Sequence, residues 1–206
     1  MAAVLESFIN LDSYTLSPGF FGFLECVEDC CEDDVKSIVS RLCDWVYSDQ
    51  SKFSLSTSLH FPSNRAVLRK YCEVSDSDFD ELLFFEKEGL VFAVDGEKFF
   101  KELGAGEIDI SEIWWRSFSH FDVLDFSRRT IERILIYQLS RGGMYGHFFI
   151  GSVGAGVIFC PSDDVGFDFF VLPGGDEGPR LERLIDIIES AGAFRFVDAD
   201  NTPALK

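Results

Sequence analysis

The sequence predicts an α+β fold, with amphipathic helices packed on small antiparallel sheets. Apolar residues occupy 47% of the 206 positions, enough to bury a sizeable core in one domain or two small ones. Several segments repeat those residues at three- and four-residue spacing, as helices with one buried face do. In the second half, short aromatic runs are punctuated by glycine or by Pro-Ser-Asp-Asp, as antiparallel strands and their turns are.

The first predicted helix carries Leu24, Val27, Cys31, Val35, Ile38, Leu42 and Trp45 as one buried stripe. On that helix Glu25, Glu28, Asp29, Glu32 and Asp33 fall together on an adjoining flank. The stretch ECVEDCCEDD is therefore read as an amphipathic helix with an acidic side. Cys31 sits in the stripe as a small hydrophobe. Cys26 and Cys30, one turn apart, could share a soft metal, but C-x3-C-C lacks the paired spacing of zinc motifs and His60, His120 and His147 lie far off in sequence. No metal or cofactor is expected.

Next, Phe53, Leu55, Thr57, Leu59 and Phe61 alternate with small polar residues and predict a half-buried strand. Ser63 is positioned to cap a short helix ending near Cys72. Ser75 and the aspartates after it cap a second, with Phe79, Leu82, Leu83 and Phe85 as its apolar face and Gly89 as its stop. LVFAV followed by Asp95-Gly96 reads as a strand and a turn.

This order of helix, turn, helix, strand and turn over residues 63–103 resembles a winged-helix unit, in order and spacing alone. Such a unit would offer its second helix to DNA. Here that helix and its flanks carry Asp76, Asp78, Asp80, Glu81, Glu86 and Glu88 against Lys87, the wrong sign for phosphate. A scaffold or a protein contact is the expectation.

Residues 104–126 mix glycines, acids and aromatics without a clear period and are read as a connection. Trp114 and Trp115 within it either anchor a partner, as aromatics at interfaces do, or bury against the core. The second half begins with a helix carrying Ile131, Ile134, Leu135 and Leu139 and ending near Gly142. HFFIGSV, AGVIFC and FDFFVLP follow as strands, then a helix beginning at Pro179 and ending at Gly192, then FRFV as a last strand. The chain divides as 1–103, mainly helical and acidic; 104–126, connecting; and 127–206, helix plus antiparallel strands plus helix. A single compact domain is the alternative.

Charge narrows the function classes. Eighteen basic residues against 36 acidic ones give a formal charge of −18, which repels nucleic acid and anionic membrane and attracts a basic partner. The acids are blocked: residues 1–64 carry −7, residues 73–112 carry −10 and residues 161–206 carry −6. Such blocks suit a directed electrostatic surface better than a solubility requirement alone. The N-terminal segment has no basic residue before Lys36 and does not read as a signal peptide, and no run reaches the length of a membrane span. A cytoplasmic protein is expected, with its six cysteines as thiols.

No catalytic signature is present. GSVGAG, residues 151–156, lacks a following Gly-Lys-Ser/Thr and lies between strand-like runs. Cys160 and His147 could be imagined as nucleophile and base, yet nothing near FCP in sequence would lower a thiol pKa. Adjacent aspartates such as Asp163 and Asp164 are common turn formers. Arg128, Arg129 and Arg133 are expected to pair internally. A binding protein rather than an enzyme is the expectation.

In size, charge blocks and the strand-loop-strand GVIFCPSDDVGFDFF, the chain resembles the immunity proteins of bacterial toxin–immunity pairs. That resemblance implies binding to a co-produced toxin or effector delivered by a secretion system, often a basic nuclease, and blocking of its active site or assembly. The contact residues it implies are Glu25, Glu28, Asp29, Glu32 and Asp33, then Asp163, Asp164 and Asp168, with Trp114 and Trp115 as aromatic anchors. The alternative is an acidic winged-helix-like adaptor or regulatory protein that binds a DNA-binding partner.

Overall fold

A computed structural model describes residues 5, 8–27, 30–48, 52–72, 74–96, 118–141, 143–162, 165–173, 177–190 and 192–199, with backbone alone at 71 and 177–182. Among these, five α-helices, a seven-stranded sheet and a two-stranded parallel sheet make a mixed α+β fold, as the sequence predicts. The strands are β1 (Phe20–Cys26), β2 (Ser54–Thr57), β3 (His60–Pro62), β4 (Phe92–Val94), β5 (Ser119–Asp122), β6 (Phe148–Ser152), β7 (Val157–Ser162), β8 (Gly166–Val171) and β9 (Phe194–Asp198). The helices are α1 (Glu32–Ser48), α2 (Arg65–Cys72), α3 (Asp76–Lys87), α4 (Arg128–Ser140) and α5 (Glu177–Glu189). The large sheet runs β5-β2-β6-β7-β8-β1-β9, and the small one pairs β3 with β4.

Two compact units, each discontinuous in sequence, divide the chain. The first comprises residues 1–55, 120–140 and 149–206; the second comprises 56–119 and 141–148. The described part of the expected connection is structured: β5 is an edge strand, and a 3-10 turn, Val123–Asp125, buries Val123.

In the first unit, α1 buries Val35, Ile38, Val39, Leu42, Cys43, Trp45 and Val46. The Trp45 ring lies 5.1 Å from Phe53 and 6.3 Å from Phe159, which places α1 over the middle of the sheet. Helix α4 lies beside it with Ile131, Ile134 and Leu135 fully buried. Arg128 joins the two helices: it pairs with Asp44 at 2.5 Å and Glu132 at 2.9 Å and donates to Ser40 Oγ at 2.9 Å. That is the internal pairing expected of this arginine. On the other sheet face Tyr14 packs edge-on against Phe149 and Phe170 at 5.8 and 5.7 Å. Buried from both sides, β7 and β8 are nearly continuous apolar runs.

Two readings change at β1 and at β2. The stripe from Leu24 to Trp45 is not one helix: Leu24 lies in β1, buried between β8 and β9, and Val27 is exposed. The expected half-buried strand over 53–61 is two strands, β2 and β3, buried on both faces. Its polar residues are satisfied internally, with Thr57 Oγ1 donating to the Leu90 carbonyl at 2.9 Å and Ser58 Oγ accepting from His147 N at 3.1 Å.

In the second unit, α2 and α3 follow one another as expected, but Asn64 rather than Ser63 caps α2, its Oδ1 accepting from Ala66 N at 2.9 Å. Ser75 caps α3 through a reciprocal box with Asp78, and Gly89 closes it at φ 78°. Strand β4 then pairs in parallel with β3, upstream of the helices. The helix-turn-helix-strand order of the winged-helix resemblance is present, and the remainder of its range, 97–103, lies outside the described residues.

Candidate functional site

The acidic residues the sequence singles out are best followed from β1 into α1. Antiparallel pairing sets Phe23 opposite Asp168 of β8, and Glu25 opposite Arg195 of β9. Directly opposed residues share a sheet face, and residues two apart on a strand do too. Glu25 and Asp168, distant in sequence, therefore stand on one face. Arg195 Nε donates to Glu25 Oε1 at 2.8 Å across the edge strand. Cys160 opposes Asp168 from β7 on that same face and is buried.

At its end β1 is tied to the next element by a disulfide between Cys26 and Cys30. This corrects the expectation of six thiols; the pair that could have shared a soft cation is covalently joined. Their Cα atoms are 6.0 Å apart, within the ordinary range for a disulfide. Cys31, Cys43, Cys72 and Cys160 remain thiols.

Cys31 immediately precedes α1 and is exposed, where the helical stripe would have buried it. Asp34 closes the turn: its Oδ2 accepts from Cys31 N at 3.0 Å and from Cys31 Sγ at 2.9 Å. These two bonds, the thiol's first, hold the Asp34 carboxyl below its ordinary value. Glu32 and Asp33 complete the first turn, where carboxylates favour the positive end of the helix dipole. Both lie near Lys36 Nζ, at 2.9 and 3.5 Å.

Of the ten residues expected at an interface, four are described. Glu25 and Asp168 are gathered by the sheet, and Glu32 and Asp33 by the start of α1. Glu25 is a strand residue, not part of a helical flank. Glu28, Asp29, Trp114, Trp115, Asp163 and Asp164 lie outside the described residues. Sequence reasoning missed Arg195 as the cross-strand partner of Glu25, the Cys26–Cys30 bond and the Cys31–Asp34 turn. Three cysteines in six positions were the available signal for the bond; nothing local to residue 25 points to residue 195.

Other reactive groups are held quiet by burial. Burial chiefly pushes the Cys43 thiol up to about 12, and the Tyr47 hydroxyl, which donates to the Phe126 carbonyl at 3.1 Å, also to about 12. In the second unit Tyr145 is raised by desolvation and by its 3.1 Å hydrogen bond with Cys72 Sγ. His60 is lowered by desolvation, only partly opposed by a backbone hydrogen bond at Ser58. Cys160 and His147 belong to different units.

Among the described residues no helix is long and apolar enough to cross a membrane. Comparisons with protein-family models, with curated proteins and with solved structures return no match.

Proposed function

We propose that the protein is an acidic cytoplasmic binding protein that neutralises a cognate basic toxin or effector, such as a nuclease, by direct contact. The observation that carries the reading is the grouping of acids in the first unit. Glu25 and Asp168 share a sheet face, and Glu32 and Asp33 open the helix that follows β1 in sequence. Set in a chain of charge −18, such a group draws a cationic surface toward it before contact. Steering of this kind raises association rates by orders of magnitude, while desolvated aromatic anchors, for which Trp114 and Trp115 are the candidates, set the dissociation rate.

The test is a pull-down of the tagged protein from its native cytoplasm, with and without the product of the adjacent gene. A stoichiometric basic partner whose toxicity disappears in the complex supports immunity. Recovery of the protein alone, with the adjacent product neither bound nor inhibited, removes the reading.

The adaptor reading has its own observation. Helix α3 presents Asp76, Asp78, Asp80, Glu81 and Glu86 against one basic residue, Lys87, and Asp76 and Asp80 are already engaged by Arg65. Capture of a DNA-binding partner that Asp80→Lys abolishes would favour it over immunity.

A further inference from the structure

We propose that the β1–α1 junction is a thiol–disulfide exchange site, in which the Cys31 thiol displaces Cys30 from its bond to Cys26, and whose surroundings select cationic or uncharged thiols and disulfides as co-reactants. Three sulfurs fall within six positions: two are joined, and the third is an exposed thiol immediately after the bond, at the N-terminus of a 17-residue helix. Exchange proceeds through the thiolate of the attacking cysteine. Here the Cys31 S–H is held by the Asp34 carboxylate at 2.9 Å. The nucleophile is thus present and restrained by one contact.

The step balances without an outside oxidant. Cys31 gives its proton to water, and its thiolate attacks Cys26 Sγ. A Cys26–Cys31 bond forms as the Cys26–Cys30 bond breaks, and Cys30 leaves as a thiolate that takes up a proton. Attack on Cys30 instead would close a small, strained ring between neighbours. With an external disulfide, the Cys31 thiolate forms a mixed disulfide and releases one thiolate of the reagent.

Adding one Cα step to the 6.0 Å between Cys26 and Cys30 puts Cys31 Cα no more than about 10 Å from Cys26, and a bridge needs roughly 7 Å or less. Once its sulfur is bonded to Cys26, Cys31 has no Sγ–H to donate to Asp34, so the two isomers differ in the contact that closes the first turn of α1.

Among the described residues Glu25, Glu32, Asp33 and Asp34 lie within three positions of the cysteines and outnumber the Arg195 and Lys36 that pair with them, so an anionic thiol such as glutathione is repelled and a cationic one such as cysteamine is attracted. The experiment uses the full chain, air-oxidised, incubated at pH 8 with a trace of cysteamine, quenched in acid, alkylated and mapped by mass spectrometry. Both isomers are expected in the wild type, Cys26–Cys30 alone in Cys31→Ser, and Cys26–Cys31 in Cys30→Ser. Cystamine is expected to modify Cys31 about tenfold faster than oxidised glutathione at low salt, the ratio shrinking as salt rises. Recovery of Cys26–Cys30 alone from the wild type at every time point would overturn the proposal, as would three free thiols after oxidation. So would a Cys30→Ser protein with a native circular dichroism spectrum that leaves Cys26 and Cys31 unpaired, or equal rates with the two reagents.

Discussion

Replacing Phe159 with alanine tests the placement of α1 over the sheet. Phe159 is about 1% exposed in β7, between β6 and β8, with ring centroids of Phe169 at 5.9 Å, Phe167 at 6.0 Å and Trp45 at 6.3 Å. A buried Phe→Ala change costs about 3–5 kcal/mol. Three neighbouring aromatic rings, each worth about 0.5–1.5 kcal/mol beyond area, put this site in the upper part of that range, near 4 kcal/mol. With a urea slope of about 2 kcal/mol per molar, the midpoint falls by about 2 M. Because whole domains hold only about 5–15 kcal/mol, the alanine variant could unfold outright, and Phe159→Leu then provides the graded measurement with a smaller loss. Val153, 56% exposed in the turn before β7, is the control, and Val153→Ala should stay within about 0.5 kcal/mol. Urea titration followed by tryptophan fluorescence reads all of these. If Phe159→Ala and Val153→Ala move the midpoint equally and the slope is unchanged, α1 does not pack on β7.

Three further outcomes are expected. Glu32→Lys, Asp33→Lys and Asp168→Lys together should slow association with the basic partner by at least tenfold in stopped flow at low salt and by much less at high salt; an unchanged rate at low salt removes this group from the interface. Gly166→Ala should cost about 1–3 kcal/mol, because a Cβ there overlaps the Leu24 carbonyl oxygen, which pairing with β8 holds in place; an unaltered urea midpoint would contradict the β1–β8 register. His60, lowered by burial, binds a proton more weakly folded than unfolded, so stability should fall as pH drops below the ordinary histidine value of 6.5. The slope is at most about 1.4 kcal/mol per pH unit for one group. Urea midpoints at pH 7.5 and 5.5 should show this loss, and a His60→Gln variant with the wild-type slope would assign it elsewhere.

The elements read correctly from sequence are those whose signals are local. Helix α3 has its serine cap, its apolar residues and its terminal glycine within 15 residues; the cap, the glycine and Phe79, Leu82 and Phe85 act as expected, whereas Leu83 of the expected apolar face is exposed. Strands β6 to β8 were legible because turns of a few residues join them and their aromatic runs have no helical period. Ser56, Thr57 and Ser58 misled because small polar residues usually mark a solvent face; here all three are buried, and Thr57 and Ser58 are bonded within the fold.

The misreading at β1 has a different physical origin, and it bears on the candidate site. Leu24 and Val27 stand at helical spacing before Cys31 and Val35, so the period continues across a junction where the backbone changes from strand to helix. What decides for a strand is pairing with β8 and β9, about 145 and 170 positions away, and no local pattern records it. The same pairing puts Glu25 and Asp168 on one face. Sidedness alternates with each residue, so a one-residue slip of β1 would turn Glu25 toward the side where Leu24 is buried and bring Leu24 out beside Asp168. Burial of Leu24 and of Phe167 and Phe169 opposes that slip, and the Cys26–Cys30 bond holds the end of β1 against the start of α1. Packing of those side chains thus fixes where Glu25 and Asp168 stand on the opposite face, and a variant that loosens it should blur the charge pattern before it unfolds the protein.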